Sequence, residues 1–241
     1  IKKAVITSQK AQRNYDLEKT IPLADLDTLI FAAKNSPSKQ NETHYSLHVY
    51  TKTNFIKKIY DTTKLFSLLK DEKDFENTFS EKDGKFWQNK SLSVHNSQIF
   101  ANVLFVFEEF HGQARGGNSV IAQRNCNSKT ESVEIYNEQI NYSIGIAVGE
   151  LILTAALLGY KTGICSAFPR DEVQTIIGCK STPKLLVGVG YENPKINRRA
   201  HAETLNKEVP KKFRTGNYNE KWKFPSFEKE CKVFLNGKDY P

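Results

Sequence analysis

The 241-residue chain has no methionine, and its four cysteines, Cys126, Cys165, Cys179 and Cys231, stand far apart. With no CxxC pair and no Cys/His cluster, nothing has the ligand spacing of a zinc site. Free thiols in a reducing, cytoplasmic setting are the expectation. The histidines His44, His48, His95, His111 and His201 form no ligand spacing either. No G-x-S-x-G turn supports a Ser–His–Asp hydrolase. No GxGxxG or Walker loop marks a separate nucleotide-binding domain. No apolar run reaches the ~18 residues of a membrane helix. The longest stretch, Ile144 to Leu158, is interrupted by Gly145, Gly149, Glu150 and Thr154. The opening IKKAVITSQK has too short an apolar stretch for a signal peptide. Internal repeats and low-complexity tracts are lacking, so a single domain is expected over 1–241, with no membrane partner.

What the chain has in excess is positive charge: a net +8 from 35 basic and 27 acidic residues. The lysines are spread along its whole length, and no basic run interleaves with aromatics as nucleic-acid binders require. A solvated lysine-rich surface that also serves an anionic cofactor explains the charge better than nucleic acid does.

Hydrophobic periodicity sets out the elements. Ile21 to Lys34 reads as a helix, with Pro22 in its first turn and Leu23, Leu26, Ile30 and Ala33 as its apolar stripe. Asn35, Ser36 and Pro37 end it. Tyr45, Leu47 and Val49 alternate with polar residues, the period of a half-buried strand. The apolar runs Val103–Phe107 and Leu185–Val189 read as buried strands. Ile144 to Leu158 is the strongest helix, with Ile144, Val148, Leu151, Ala155 and Leu158 at helical spacing. Its small residues Gly145, Ala147 and Gly149 would let another backbone approach, and Gly159 suits the position just past its end. A strand over Tyr160–Cys165 and a short helix over Asp171–Ile177 complete the pattern. Residues 111–135 are polar and glycine-containing, a candidate lid or insertion. The aromatic-bearing tail 205–241 makes sense as an arm packed on a partner subunit. The order of elements, with long loops and no regular βαβ spacing, is that of an α+β fold.

Four segments, in order, resemble the nitroreductase family of FMN enzymes. They are QKAQRNYDLEKTIPLADLDTLIFAAKNSPSKQNETHYSLHVY, HNSQIFANVLFVF, SIGIAVGELILTAALLGYKTGICSAF and KLLVGVGYENPKINRRAH. The resemblance implies a three-layer fold, with a central, mainly antiparallel sheet flanked by helices and a C-terminal arm exchanged in a homodimer. It also implies FMN as cofactor, NAD(P)H as reductant, and a nitroaromatic, quinone or similar small acceptor reduced by a ping-pong mechanism in one shared pocket.

The same resemblance assigns site residues. Lys10 and Arg13 would be the cations near the pyrimidine edge or ribityl chain. The family's leading arginine is Gln9 here, and its serine is Ala11. Pro37, Ser38, Lys39 and Asn41 would reach the flavin of the other subunit, although Ser36-Pro37-Ser38 could equally just end a helix. Asn96 and Gln98 are the amide candidates for the pyrimidine edge, with His95 as an alternative to the asparagine. Ser166 and Ala167 resemble the turn whose backbone N–H addresses flavin N5. Arg198 and Arg199 look like the phosphate clamp, because guanidinium forks match phosphate oxygens. Cys165 reads as a buried inert thiol. The alternatives are a specialised relative (dehalogenase, ene reductase or flavin-fragmenting enzyme), a flavin-binding protein without rapid turnover, and a nucleic-acid binder with a coincidental match.

Overall fold

The computed structural model describes residues 1–67, 80–82, 85–87, 93–110, 129–196, 233–235 and 238–240. Helices α1 (Lys2–Ser8) and α2 (Leu23–Lys34) lead to a single 3-10 turn at Lys39–Asn41 and strand β1 (Tyr45–Tyr50). Helix α3 (Thr53–Thr62) and the short strands β2 (Lys64–Ser67), β3 (Ser80–Lys82), β4 (Lys85–Trp87) and β5 (Ser93–His95) follow. The chain then forms β6 (Val103–Glu109), the long helix α4 (Lys129–Leu157), β7 (Lys161–Cys165), α5 (Arg170–Ile177) and β8 (Pro183–Gly190). A small pair, β9 (Val233–Leu235) and β10 (Lys238–Tyr240), lies near the C-terminus.

Four strands make the central sheet in the order β1-β6-β8-β7, every pair antiparallel. The Val103–Phe107 run of β6 is continuously apolar because it is covered on both faces. Val103, Phe105 and Phe107 join one core with Leu29 and Ala33 of α2 and Ile144, Val148 and Leu151 of α4. Leu104 and Val106 join a second core with Ile56 and Ile59 of α3 and Val173 of α5. Helices, sheet, helices is the three-layer α+β fold expected.

The element boundaries differ from the periodicity in instructive places. Pro22 stands just outside α2, as its N-cap, with an extended ψ of 146°. The buried face of α2 uses Leu29 and Ala33, whereas Leu23 is 72% exposed. The stripe is therefore rotated from the one read in the sequence. Helix α4 begins at Lys129, so the last seven residues of the polar segment 111–135 are helical. Residues 111–128 of that segment lie outside the described residues, as does most of the 205–241 arm.

Helix α4 ends as Gly159 demands. Its φ is +92°, and the next N–H, of Tyr160, returns 2.8 Å to the Ala155 carbonyl. The Gly159 N–H reaches Ala156, completing a Schellman cap that only a residue at ease with positive φ can close. By length and composition, Tyr136–Leu157 could also cross a membrane. Here one stripe of it packs on the sheet: Ile140, Ile144, Ala147, Val148, Leu151 and Ala155 are buried. The opposite stripe, with Tyr142, Ile146, Gly149 and Leu157, is exposed.

Candidate functional site

The site is built on glycines. In the antiparallel register Gly163 of β7 pairs with Gly188 of β8, and Gly190 pairs with Lys161. Alternation sends Val187 and Val189 into the α2/α4 core, so Gly188 and Gly190 face the other side. A Cβ at Gly188 would stand 2.2 Å from the Gln98 carbonyl oxygen, and one at Gly163 only 2.7 Å from the same atom. The loop 96–102 therefore lies flat on a floor that only glycine provides.

The N-terminal segment joins the same floor. Ala11 bridges Thr162 in parallel, and the Gln12 N–H donates 2.8 Å to the Thr162 carbonyl. The Gln12 carbonyl would meet a Cβ at Gly163 at 2.5 Å. Tyr15 sits beneath, with its hydroxyl 3.1 Å from the Gln98 carbonyl and 3.3 Å from those of Gln12 and Gly188. Burial raises its pKa, so the phenol stays a neutral donor. Asn102 closes the far end. Its amide donates to the carbonyls of Asp16 (2.8 Å) and Lys19 (2.6 Å), and its oxygen accepts from the Tyr191 N–H at 3.0 Å.

Cys165 ties the loop to the turn beyond β7. Asn96 donates its amide to the Cys165 sulfur, and the thiol lies 3.4 Å from the Ala167 carbonyl. Burial pushes this thiol up to about 11, against the weaker effect of the Asn96 amide, which favours the thiolate. It is inert at neutral pH, as read from the sequence. The Asn96 oxygen meanwhile accepts from the Gln98 N–H at 3.2 Å, so both ends of this buried amide serve the protein itself. Gln98 is half-buried, and Ser166 and Ala167 are exposed.

The segments that carry three of the expected clusters thus converge in one chain: that of Lys10 and Arg13, both half-buried, that of Asn96 and Gln98, and that of Ser166 and Ala167. The fourth stands apart in the same subunit. Pro37, Lys39 and Asn41 are exposed and Ser38 is half-buried, on the turn between α2 and β1. Arg198 and Arg199 lie outside the described residues. Sequence reasoning missed Gln12, Tyr15 and Asn102, which hold the segments together. The alternating glycines of VGVG beside an isolated glycine in KTGIC were the available signal, since glycine inside a strand marks close backbone approach.

A four-stranded antiparallel sheet between helix layers, with residues 11–12 and the loop 96–102 converging on the glycines of β7 and β8, defines an α+β fold. The chain belongs to the nitroreductase family, whose model matches residues 6–191. Among solved structures it resembles B. megaterium NfrA2 at 17% identity and TM-score 0.55, over 83% of this chain and 70% of that one. A nitroreductase family protein from Clostridium novyi NT is 16% identical, with TM-score 0.53, over 79% of this chain and 84% of that one. A candidate NAD(P)H:FMN oxidoreductase from Staphylococcus epidermidis ATCC 12228 is 16% identical, with TM-score 0.53, over 78% of this chain and 85% of that one. At these identities the likeness is one of fold. Comparison with curated protein sequences finds no match.

Proposed function

We propose that the chain is an FMN-dependent oxidoreductase that uses NAD(P)H to reduce nitroaromatics, quinones or similar small acceptors, and that it works as a homodimer. The observation that carries this reading is the convergence of residues 10–15, 96–102 and 162–167 on one glycine floor, in a chain of the nitroreductase family. The Staphylococcus epidermidis protein of similar fold, described by its NAD(P)H and FMN chemistry, supports it.

The donor set fits this cofactor. Lys10 and Arg13 offer positive charge, Gln98 a half-exposed amide, and Ser166–Ala167 an exposed turn. The Ser97 hydroxyl, one residue from Gln98, is buried with no partner among the described residues. FMN held there would supply hydride-transfer chemistry between NAD(P)H and the acceptor. The protein's part is to bind and orient. Lys10 and Arg13 neutralise negative charge at the pyrimidine edge and ribityl chain. The Ser166–Ala167 backbone donates toward the N5 position. Arg198 and Arg199 clamp the phosphate, and Ser38 and Asn41 contact the flavin of the partner subunit. Asn96 acts mainly by shaping the loop that carries Gln98.

The homodimer reading rests on the uncovered stripe of α4. Tyr142 is 57% and Leu157 59% exposed, and among the described residues a Cβ at Gly145 or Gly149 would touch nothing within 4 Å. An apolar, glycine-bearing helix face of this kind suits close packing against a second copy. Free thiols at Cys165 and Cys179 agree with a reducing, cytoplasmic setting.

The test is spectroscopic. Protein purified with FMN should absorb near ~450 nm, bleach under anaerobic NAD(P)H and recover its colour with a nitroaromatic or quinone. Bleaching without reoxidation by any acceptor would leave a flavin-binding protein without turnover. Failure to retain FMN at all would remove the reading.

A further inference from the structure

Glu42, His44 and Ser143 form a buried chain of hydrogen bonds outside the glycine-floored site. His44 is 3% exposed; its Nδ1 lies 3.2 Å from Ser143 Oγ on α4, and its Nε2 lies 3.1 Å from Glu42 Oε2. Tyr136, also on α4, packs edge-on against the imidazole at 5.5 Å and donates its hydroxyl to the Phe110 carbonyl at 3.2 Å. The Phe110 N–H in turn donates to the His44 carbonyl at 3.1 Å. The serine–histidine–carboxylate composition is that of a hydrolytic triad. But Ser143 is 2% exposed, on the buried side of a helix, where its hydroxyl cannot reach a substrate.

The chain of bonds holds a strained turn. Asn41 has φ +59° and Thr43 φ +44°, both in the left-handed region that side chains disfavour. Thr43 is β-branched, which makes that conformation unfavourable unless the surroundings impose it. They flank Glu42. Upstream, the turn is pinned by the Ser36 hydroxyl paired with the Tyr45 hydroxyl at 2.9 Å, and the Thr43 N–H donates to Ser38 Oγ at 3.0 Å. Downstream, it is pinned to α4 through His44.

We propose that Glu42, His44 and Ser143 are positioning residues for FMN binding. They latch the Ser38–Asn41 turn onto the central helix and keep Asn41 and Thr43 in the conformation that presents Ser38 and Asn41 to the cofactor. This rests on the assignment of that turn to the flavin. Without the latch, the turn relaxes out of the left-handed region and FMN is held more weakly, while the glycine-floored half of the site is unchanged.

The experiment uses the full-length protein, with His44→Ala, Ser143→Ala and the double variant. FMN affinity is measured by quenching of flavin fluorescence, and amide exchange is followed in peptides covering residues 36–45. Each single variant should weaken FMN by about tenfold, or ~1.4 kcal/mol, and speed exchange across the turn. The double variant should be no worse than either single, because all three lose one shared latch. Thr43→Gly added to His44→Ala should recover most of the affinity, since glycine takes positive φ without strain. Global unfolding would not be corrected in this way. Additive losses, no rescue by glycine, or unchanged exchange in the turn would overturn the proposal. If the wild-type protein binds no FMN, the functional reading fails, and unchanged exchange would still sink the latch separately.

Discussion

Individual side chains in this protein are governed by burial more than by pairing. Cys165 illustrates it: the Asn96 amide donates to its sulfur and favours the thiolate, yet desolvation wins and its pKa rises to about 11. Alkylation of native protein at about pH 8 should therefore spare Cys165 until the chain is unfolded, as mass spectrometry of labelled peptides would reveal. Rapid native labelling would contradict its burial. His44 follows the same rule. Burial draws its pKa below the ordinary 6.5 more strongly than Glu42 draws it up. Among the described residues, the titratable neighbours are Glu42 on its own turn and Tyr136 on α4, with Glu109 on β6 acting on Tyr136. A histidine whose folded value is depressed stabilises the native state above its unfolded value. That contribution is lost as pH falls through the folded one. The thermal midpoint should thus decline as the pH falls below the ordinary histidine value of 6.5. The decline should be shallower in His44→Gln than in the wild type. Parallel curves for the two proteins would mean that His44 is not the titrating group.

At the scale of elements, the outcome turned on whether a pattern was local. β6 was legible because a run of Val, Leu and Phe has no other use than a strand covered on both faces, and both cores confirm it. Phe105→Ala should cost about 3–5 kcal/mol in urea denaturation. A loss below about 1 kcal/mol would mean that the side chain is not in a packed core. The end of α4 was legible for a similar reason, since Gly159 alone serves its cap. The face of α2 was not: Leu23 and Leu29 both suit a helical stripe, and only the neighbouring α4 decides that Leu29 goes inward. The start of α4 was missed too: Tyr136 and Ile140 extend its packed stripe toward the N-terminus, but they stand sparsely among polar residues. Within the candidate site, Lys10, Arg13, Gln98, Ser166 and Ala167 are proposed from their resemblance to a family pattern. Gln12, Tyr15 and Asn102 act by reaching backbone atoms distant in sequence, which no spacing records. The glycine floor has a sharp consequence. Gly188→Ala would push a methyl against the Gln98 carbonyl, a backbone atom that cannot swing aside. Destabilisation of about 1–3 kcal/mol and weakened FMN retention are expected together in denaturation and fluorescence titrations. Unchanged retention would show that the loop 96–102 does not shape the cofactor site.

The whole molecule is an arrangement with one face left over. Three layers bury both sides of the sheet, but the outer stripe of α4 stays apolar and open, and the Ser38–Asn41 turn lies apart from the glycine floor of its own chain. Two copies facing each other through α4 would resolve both features at once. A charge placed in the stripe, as in Ile146→Lys, should yield monomers that have lost most of their FMN affinity while keeping their helical circular-dichroism signal. A dimer that survives this change would place the interface elsewhere. The most direct test of the central claim is sedimentation of the 27.5 kDa chain with stoichiometric FMN, read at the flavin absorbance. The account expects flavin and protein to move as one boundary at twice the chain mass. Flavin left at the meniscus, or travelling with a monomer, would contradict it.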